Sequence, residues 1–134
     1  MSVLVLGTLP ACDAPLVQGE VRVGEGRLWI GDVELSTHQG TAALLSAAAQ
    51  SAATLGGDPI YAICAVDTGM GDGTRLIYRE LERWLGEARL EAYAINYVAF
   101  HYLSPIMSLM RKAIALLAEH APTVKLIGDA GGMY

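Results

Sequence analysis

The chain has 134 residues, of which 53% are hydrophobic and 17% are charged, and its formal net charge at pH 7 is −5. This length holds one domain with a real core, and the acidic balance without a Lys/Arg run argues against nucleic-acid binding, which requires several cations against phosphates. No apolar run approaches the ~18 residues of a membrane span and no secretory signal opens the chain, so we expect a cytoplasmic protein without membrane association.

The first half of the chain predicts one strand, a small meander and one helix. Residues 2–6 form a short aliphatic run, which is typical of a strand. Apolar residues alternate within 16–35 and glycines punctuate them, so we expect an antiparallel β-meander there. Residues 41–55 are rich in alanine, the best helix former, and a pair of glycines follows them. Cys12 and Cys64 belong to no C-x-x-C pair, and we interpret both as reduced thiols.

The second half alternates between apolar runs and segments with helical spacing. These predict strands at 60–66, 94–103 and 123–127 and helices at 74–85 and 105–119. Strands without polar alternation, separated by helices, indicate parallel pairing with both faces buried. Pro105 fits the first turn of the last helix, after a cap at Ser104.

We therefore predict a single α/β domain over 1–134, with a βαβ core at 41–134. Its fold class is a three-layer arrangement, in which a mainly parallel sheet has helices on both faces and an N-terminal antiparallel β-meander. The sequence stops at 131–134, just after a strand that no predicted helix covers. We expect the natural protein to be longer, or a second chain or another copy in a homo-oligomer to cover this edge. The alternative is a simple edge strand.

The strongest functional motif is the segment 67–74, Asp-Thr-Gly-Met-Gly-Asp-Gly-Thr, between a strand and a helix. Ligands of open α/β sheets bind beyond the carboxyl ends of the strands, where a helix N-terminus offers free N–H groups to an anion. The residues predicted to bind phosphate are Gly69, Gly71, Gly73 and Thr74. Asp67 and Asp72 repel a bare phosphate, so we interpret at least one of them as a catalytic base or a metal-bridging group. The alternative is an ordinary turn with an Asp/Thr cap.

Two further groups are candidates for the substrate side. Asp129 and Gly131 follow the last strand, and if this strand runs parallel to the strand before Asp67, both turns open into a shared cleft at one rim. His38 and Gly40 precede the alanine-rich helix, where they could contact a substrate. A polar strand end and a structural histidine are the respective alternatives.

Several common chemistries have no motif in this sequence. No His/Cys/Asp cluster has zinc-ligand spacing, and the patterns G-x-S-x-G, G-x-x-x-x-G-K-[ST] and G-x-G-x-x-G do not occur. His101 lies in an apolar run, and we interpret it as a partly buried structural histidine. The fingerprints of serine hydrolases, P-loop proteins and dinucleotide-binding domains are thus missing.

Three segments resemble the ribokinase-like superfamily, particularly its branch of ADP/ATP-dependent NAD(P)H-hydrate dehydratases and its sugar kinases. The segment 38–45, His-Gln-Gly-Thr-Ala-Ala-Leu-Leu, resembles that branch's Tyr-x-Gly-Ala start of an Ala-rich helix. The segment 125–131 resembles its strand that ends in Asp-Ala-Asp, with Asp129 at the first acidic place and Gly131 at the second. The segment 67–72 resembles the superfamily's Asp-Thr-x-Gly-Ala-Gly-Asp loop, whose second Asp is the catalytic base in the sugar kinases.

The resemblance implies an enzyme, or the N-terminal half of one, that uses ATP or ADP with Mg²⁺ on a small phosphorylated or nucleotide-linked metabolite. It makes Asp72 or Asp67 the base or magnesium partner and puts His38, Gly40 and Asp129 on the substrate side. The family's loop is one residue longer and lies near its C-terminal end, so in collinear order the segment 67–74 is a different loop of the fold.

By the same resemblance, the meander at 16–35 corresponds to the lid or dimer-clasp insertion of the sugar kinases. The competing class is a non-catalytic oligomerising or regulatory α/β module, which binds a protein partner through the alanine-rich helix and the open strand edge.

Overall fold

The computed structural model describes residues 2–10, 12, 14–35 and 40–128, and the predicted α/β class is confirmed there. The strands in this part are β1 (Ser2–Leu9), β2 (Leu16–Gly24), β3 (Arg27–Ile30), β4 (Val33–Leu35), β5 (Ile60–Val66), β6 (Ile95–His101) and β7 (Lys125–Gly128). The helices are α1 (Gly40–Thr54), α2 (Asp72–Gly86), α3 (Arg89–Ala92) and α4 (Met107–His120). The short helix α3 was not predicted.

The described strands form one seven-stranded sheet in the order β4-β3-β2-β5-β1-β6-β7. β1 pairs in parallel with β5 and with β6, and β7 pairs in parallel with β6. β2, β3 and β4 are antiparallel neighbours, and β2 also pairs antiparallel with β5. The sheet is therefore mixed rather than mainly parallel, because β2 attaches the antiparallel strands directly to the edge of the parallel ones.

Alternate side chains of the central strands enter two separate core clusters. In β1, Leu4 and Leu6 pack with residues of α2 and α4, whereas Val5 and Leu9 pack with residues of α1 and of β2 to β4. Neighbouring side chains of a strand point to opposite faces, so α1 covers one face of β1 while α2 and α4 cover the other. Burial on both faces explains why the sequence of β1 is a nearly continuous apolar run.

Two helices begin at other positions than their predicted caps. α2 begins at Asp72 with Gly71 as its N-cap, so Thr74 lies inside the first turn. α4 begins at Met107 with Ile106 as its N-cap, so Ser104 is not the cap and Pro105 is not in the first turn. Neither N-cap residue makes a side-chain capping hydrogen bond, which leaves Ser104 and Thr74 free for other contacts.

The outer strand β7 is the most exposed strand of the sheet. All four of its residues are exposed, and the apolar side chains of Leu126 and Ile127 are 37% and 50% exposed.

The Cys64 side chain in β5, in contrast, is fully buried, and neither it nor Cys12 forms a disulfide. Among the described helices, none has the length and apolar character needed to span a bilayer.

Candidate functional site

Three neighbouring parallel strands, β5, β1 and β6, end at the same edge of the sheet. The chain after β5 and the chain after β6 lead into α2 and α4 on one face, whereas α1 covers the other face of β1. Ligands of open α/β sheets bind in a crevice beyond the carboxyl ends of the strands. β1 itself continues into β2, which lies in the same sheet. The candidate site therefore lies at the carboxyl ends of these three strands.

The carboxylate of Asp67, directly after β5, organises the turn that follows it. Its Oδ1 accepts hydrogen bonds from the main-chain N–H groups of Gly69 (2.8 Å) and Gly71 (3.1 Å). Its Oδ2 accepts from the N–H and hydroxyl of Thr74 (3.1 and 3.0 Å) and from the hydroxyl of Ser104 (3.3 Å). Five donors therefore surround one carboxylate and fix its position.

These donors determine the charge state of Asp67. Burial by itself raises the pKa of this carboxyl, but the main-chain hydrogen bonds from Gly69, Thr74 and Gly71 and the hydroxyl of Thr74 outweigh burial and lower the pKa to about 2. Hydrogen bonds to a carboxylate favour its charged form. Asp67 is thus ionised at neutral pH and is a weak base, which suits it to holding the turn rather than to accepting a proton.

The buried hydroxyl of Thr74 connects two loops of the site. It donates to Asp67 Oδ2 (3.0 Å) and accepts the main-chain N–H of Ser104 (2.9 Å). Because Ser104 lies between β6 and α4, this hydrogen-bonded chain joins the end of β5 to the end of β6 across the end of β1. The sequence contained a signal for Ser104, since it follows a parallel strand at the same edge, but we interpreted it only as a cap.

Two glycines allow the close approach in this turn. Gly71 has φ 86, in the region that L side chains rarely adopt, and a Cβ there would lie 2.8 Å from Cδ1 of Ile106. A Cβ on Gly73 would lie 2.7 Å from the carbonyl carbon of Val66 and 2.9 Å from Cβ of Asp67. Gly73 is therefore required by the packing of the turn against the end of β5, and Gly71 by its backbone conformation.

Asp72 is the second carboxylate of the turn, and its setting differs from that of Asp67. It is exposed, and its Oδ1 accepts hydrogen bonds from the N–H and hydroxyl of Thr68, both at 3.1 Å. Its Oδ2 has no hydrogen-bond partner among the described residues. Asp72 therefore keeps one carboxylate oxygen available to a ligand, a proton or a cation.

Some of the main-chain N–H groups that we predicted to bind phosphate already donate hydrogen bonds within the protein. The N–H groups of Gly69, Gly71 and Thr74 donate to the Asp67 carboxylate, which stands where we expected an external anion. Within the described part of the chain, the first-turn N–H groups of Asp72 and Gly73 make no hydrogen bond. The groups of α2 that remain for a bound anion are therefore these two and the positive end of the helix dipole.

A second polar cluster lies at the end of β1 and β6. The Thr41 hydroxyl and Nδ1 of His101 are 2.8 Å apart, and the Thr41 side chain is fully buried against Gly7. A Cβ on Gly7 would lie 2.6 Å from Oγ1 of Thr41, so only glycine lets the start of α1 approach β1 this closely. His101 is half-buried and bonded, as the sequence predicted for a structural histidine.

Gly40 begins α1 beside this cluster. It has φ 58, and a Cβ there would lie 3.8 Å from the ring of Tyr102 and 3.9 Å from Cδ of Pro10. Tyr102 is 58% exposed and has φ 55, and its carbonyl accepts the hydroxyl of Thr8. Tyr102 thus presents an exposed aromatic ring beside the start of α1 at this edge of the sheet.

The other predicted substrate residues, His38, Asp129 and Gly131, lie outside the described residues. β5 and β7 run in the same direction, so their carboxyl ends share one edge of the sheet. However, β1 and β6 lie between them, which separates the two ends by about 14 Å at ordinary strand spacing. A ligand that touches both ends has to extend across three strand spacings.

Residues 2–10, 12, 14–35 and 40–128 contain no group of three His, Cys, Asp or Glu side chains that could enclose a metal ion. Mg²⁺ is usually held by one or two carboxylates together with phosphates of the substrate, so the free oxygen of Asp72 suits a cation that arrives with a nucleotide.

Comparisons with protein-family models, with curated proteins and with solved structures found no match for this chain.

Proposed function

We propose that this chain is a ribokinase-like enzyme, or part of one, that uses ATP or ADP on a small phosphorylated or nucleotide-linked metabolite. The observation that carries the proposal is the turn after β5, in which a fully bonded Asp67 fixes the backbone while Asp72 keeps a free carboxylate oxygen. The resemblance of the segments 38–45 and 125–131 supplies the reaction class. The proposal takes the fold as a three-layer arrangement with the meander as a lid or clasp.

In this proposal the two carboxylates have different roles. Asp67 positions the turn, since its pKa of about 2 and its five donors disfavour proton transfer to it. Asp72 accepts the proton of the attacking hydroxyl or holds the cation, since its Oδ2 is free among the described residues. The N–H groups of Asp72 and Gly73, with the N-terminal dipole of α2, bind a phosphate oxygen.

The substrate side is formed by the neighbouring strand ends. Gly40 presents its backbone beside Tyr102, whose exposed ring supplies an apolar wall. His38 and Asp129 are assigned to the substrate by resemblance. Bound Mg²⁺ supplies positive charge against the phosphates of the nucleotide. The contribution of this chain is mainly positioning and electrostatic stabilisation, which dominate phosphoryl transfer.

A thermal-shift titration tests the proposal. The 134-residue chain is titrated with ATP, ADP, NADH and NADPH, each with and without Mg²⁺. We expect a stabilising shift with ATP or ADP that is larger with Mg²⁺ and smaller in Asp72→Asn. The matched control is Asp32→Asn, which makes the same charge change at an exposed carboxylate in the turn between β3 and β4.

The controls also define the result that contradicts the proposal. An equal loss of the shift in Asp32→Asn shows that net charge, rather than the turn, is responsible. The absence of a shift with any nucleotide, together with a stable oligomer, favours the non-catalytic class.

The exposed apolar strand β7 is the observation that favours this second candidate, an oligomerising or regulatory module. Leu126 and Ile127 are 37% and 50% exposed at the edge of the sheet, where unpaired strands readily associate. We expect Ile127→Lys to dissociate such an oligomer in sedimentation velocity. Leu55→Lys is the control, since Leu55 is an 83% exposed apolar residue at another place. An unchanged sedimentation coefficient in Ile127→Lys rules this interface out.

A further inference from the structure

A groove of about 400 Å³ runs between α2 and α4, away from the helix α1. Its apolar lining includes Leu81, Leu85, Leu109, Ala113 and Leu116. Its volume lies within the range of small-molecule sites, which are mostly apolar and carry a few polar groups. The groove is therefore large enough for a compact organic molecule.

The charged residues of the groove are mostly cations. Arg75, Arg79 and Lys112 line it together with a single acid, Glu82. Lys112 Nζ lies 3.3 Å from Oε2 of Glu82, and Nη1 of Arg75 donates to the carbonyl of Met70 (3.3 Å). Arg79 is exposed and pairs with no acid among the described residues. The chain as a whole carries a net charge of −5, so this local excess of positive charge is opposite in sign to the overall charge.

A buried hydroxyl is also left unsatisfied in this wall. Tyr78 lines the groove and is 6% exposed, and its hydroxyl has no hydrogen-bond partner among the described residues. Buried polar atoms are nearly always bonded, so this hydroxyl is a local cost of the packing, and it is buried too deeply to be reached from the open groove. The apolar floor and the cations are therefore the features of the groove that a ligand contacts.

We infer that the groove between α2 and α4 binds a small amphipathic anion, with an apolar body against the leucines and a phosphate or carboxylate between Arg79 and Lys112. The apolar lining accounts for the body, and the excess of cations accounts for the charged head. Arg79 has no acidic partner within residues 2–10, 12, 14–35 and 40–128, so it binds the anion directly, whereas Lys112 has to leave Glu82 in order to bind the anion. This inference is independent of the proposed nucleotide reaction, which uses the carboxyl edge of the sheet.

Isothermal titration with four probes tests the inference. The probes are octyl phosphate below its micelle concentration, octanol, inorganic phosphate and octyltrimethylammonium. We expect octyl phosphate to bind at least about tenfold more tightly than each of the other three, since only it satisfies both parts of the groove. Equal affinity for octanol or for octyltrimethylammonium overturns the inference, because the cations then contribute nothing.

Variants locate the binding at the groove. We expect the double variant Arg79→Gln/Lys112→Gln to weaken octyl phosphate by about tenfold. The control Arg111→Gln removes an exposed cation of α4 that does not line the groove, and its affinity should remain within about twofold. Circular dichroism melting establishes that each variant is folded. An equal loss in Arg111→Gln, or no loss in the double variant, contradicts the assignment.

Discussion

A single oxygen of Asp67, Oδ2, receives both the main-chain N–H and the hydroxyl of Thr74, at 3.1 and 3.0 Å. This pair ties the first turn of α2 to the end of β5. The Thr74 hydroxyl in turn accepts the N–H of Ser104, so the restraint continues to the loop after β6. The arrangement of the loops after β5 and β6 therefore depends on one carboxylate.

Asp67→Asn should lower the free energy of unfolding by about 2 kcal/mol. An amide has only one acceptor oxygen, so its NH₂ group must face either the N–H donors of Gly69 and Gly71 or the N–H of Thr74 and the hydroxyls of Thr74 and Ser104. Either orientation leaves bonded donors without an acceptor. Urea unfolding at pH 7 measures the change.

The matched variant is Asp72→Asn, in the same turn. Only its Oδ1 is bonded, to Thr68, and an amide oxygen can keep those bonds. We expect a loss of about 0.5 kcal/mol from the weaker interaction with the helix dipole. Equal losses in the two variants contradict the assignment of Asp67 as the organiser of the turn.

The contribution of Asp67 to stability should depend on pH in the acid range. Its pKa is lowered from the ordinary 3.8 to about 2 in the folded protein, so it stabilises the fold above pH 4 and loses this contribution as the pH falls towards 2. Allowing for solvent screening, the loss is about 1 kcal/mol. The difference between wild type and Asp67→Asn, measured by urea unfolding, should therefore shrink from pH 5 to pH 2. A constant difference contradicts this linkage.

Gly73→Ala should destabilise the protein by about 2 kcal/mol, because the new methyl group meets the carbonyl of Val66 and Cβ of Asp67. Gly86→Ala, at the other end of α2, is the control. No atom lies within 4 Å of a Cβ there, so this change should be neutral or stabilise by about 0.5 kcal/mol. Thermal unfolding of both variants separates packing from helix propensity, and similar effects would argue against the packing explanation.

The two cysteines should react with a thiol reagent at very different rates. Cys64 is fully buried, and burial raises its pKa to about 12, whereas Cys12 is partly exposed. Thiolates are the reactive species, so Cys64 has neither the charge nor the access required. We expect one fast equivalent of the coloured product of Ellman's reagent in the native state and two in urea. Two fast equivalents in the native state would show that β5 is open to solvent.

Tyr78→Phe should leave the free energy of unfolding unchanged or raise it by about 1 kcal/mol. The hydroxyl of Tyr78 is buried without a partner among the described residues, and burial raises its pKa to about 12. Removing this group removes the free-energy cost of burying a hydroxyl without a hydrogen bond. Urea unfolding tests this, and a loss of more than about 1 kcal/mol would mean that the hydroxyl is bonded in solution.

The sequence allowed prediction of the elements but only part of their arrangement. Aliphatic runs, alanine content and glycine pairs located every strand and the three long helices, because these signals are local. The antiparallel pairing of β2 with β5 was missed, since long-range pairing leaves no mark in the local pattern of 16–35. The helix starts were misplaced for a similar reason, because Ser104 and Thr74 bond to a distant carboxylate instead of capping.

For the candidate site, the residue types in the sequence predicted where the turn lies, but they did not predict the role of each residue. The segment 67–74 does form a tight turn at the carboxyl end of a parallel strand. However, its two carboxylates look alike in sequence, and only the count of donors around each one distinguishes Asp67 from Asp72. The groove between α2 and α4 had no sequence signal, because its cations are spaced as ordinary solvent-facing positions of two separate helices.

The position of β1 in the middle of the sheet affects how the protein folds during synthesis. Val3 is paired with Ile60 and Ser2 with Ile95, so β1 has no parallel partner until β5 and then β6 have been synthesised. Pairings between distant parts of a chain form slowly, and an unpaired apolar strand is prone to aggregation while it waits. During synthesis β1 therefore stays unpaired on both sides while at least fifty further residues are added to the chain.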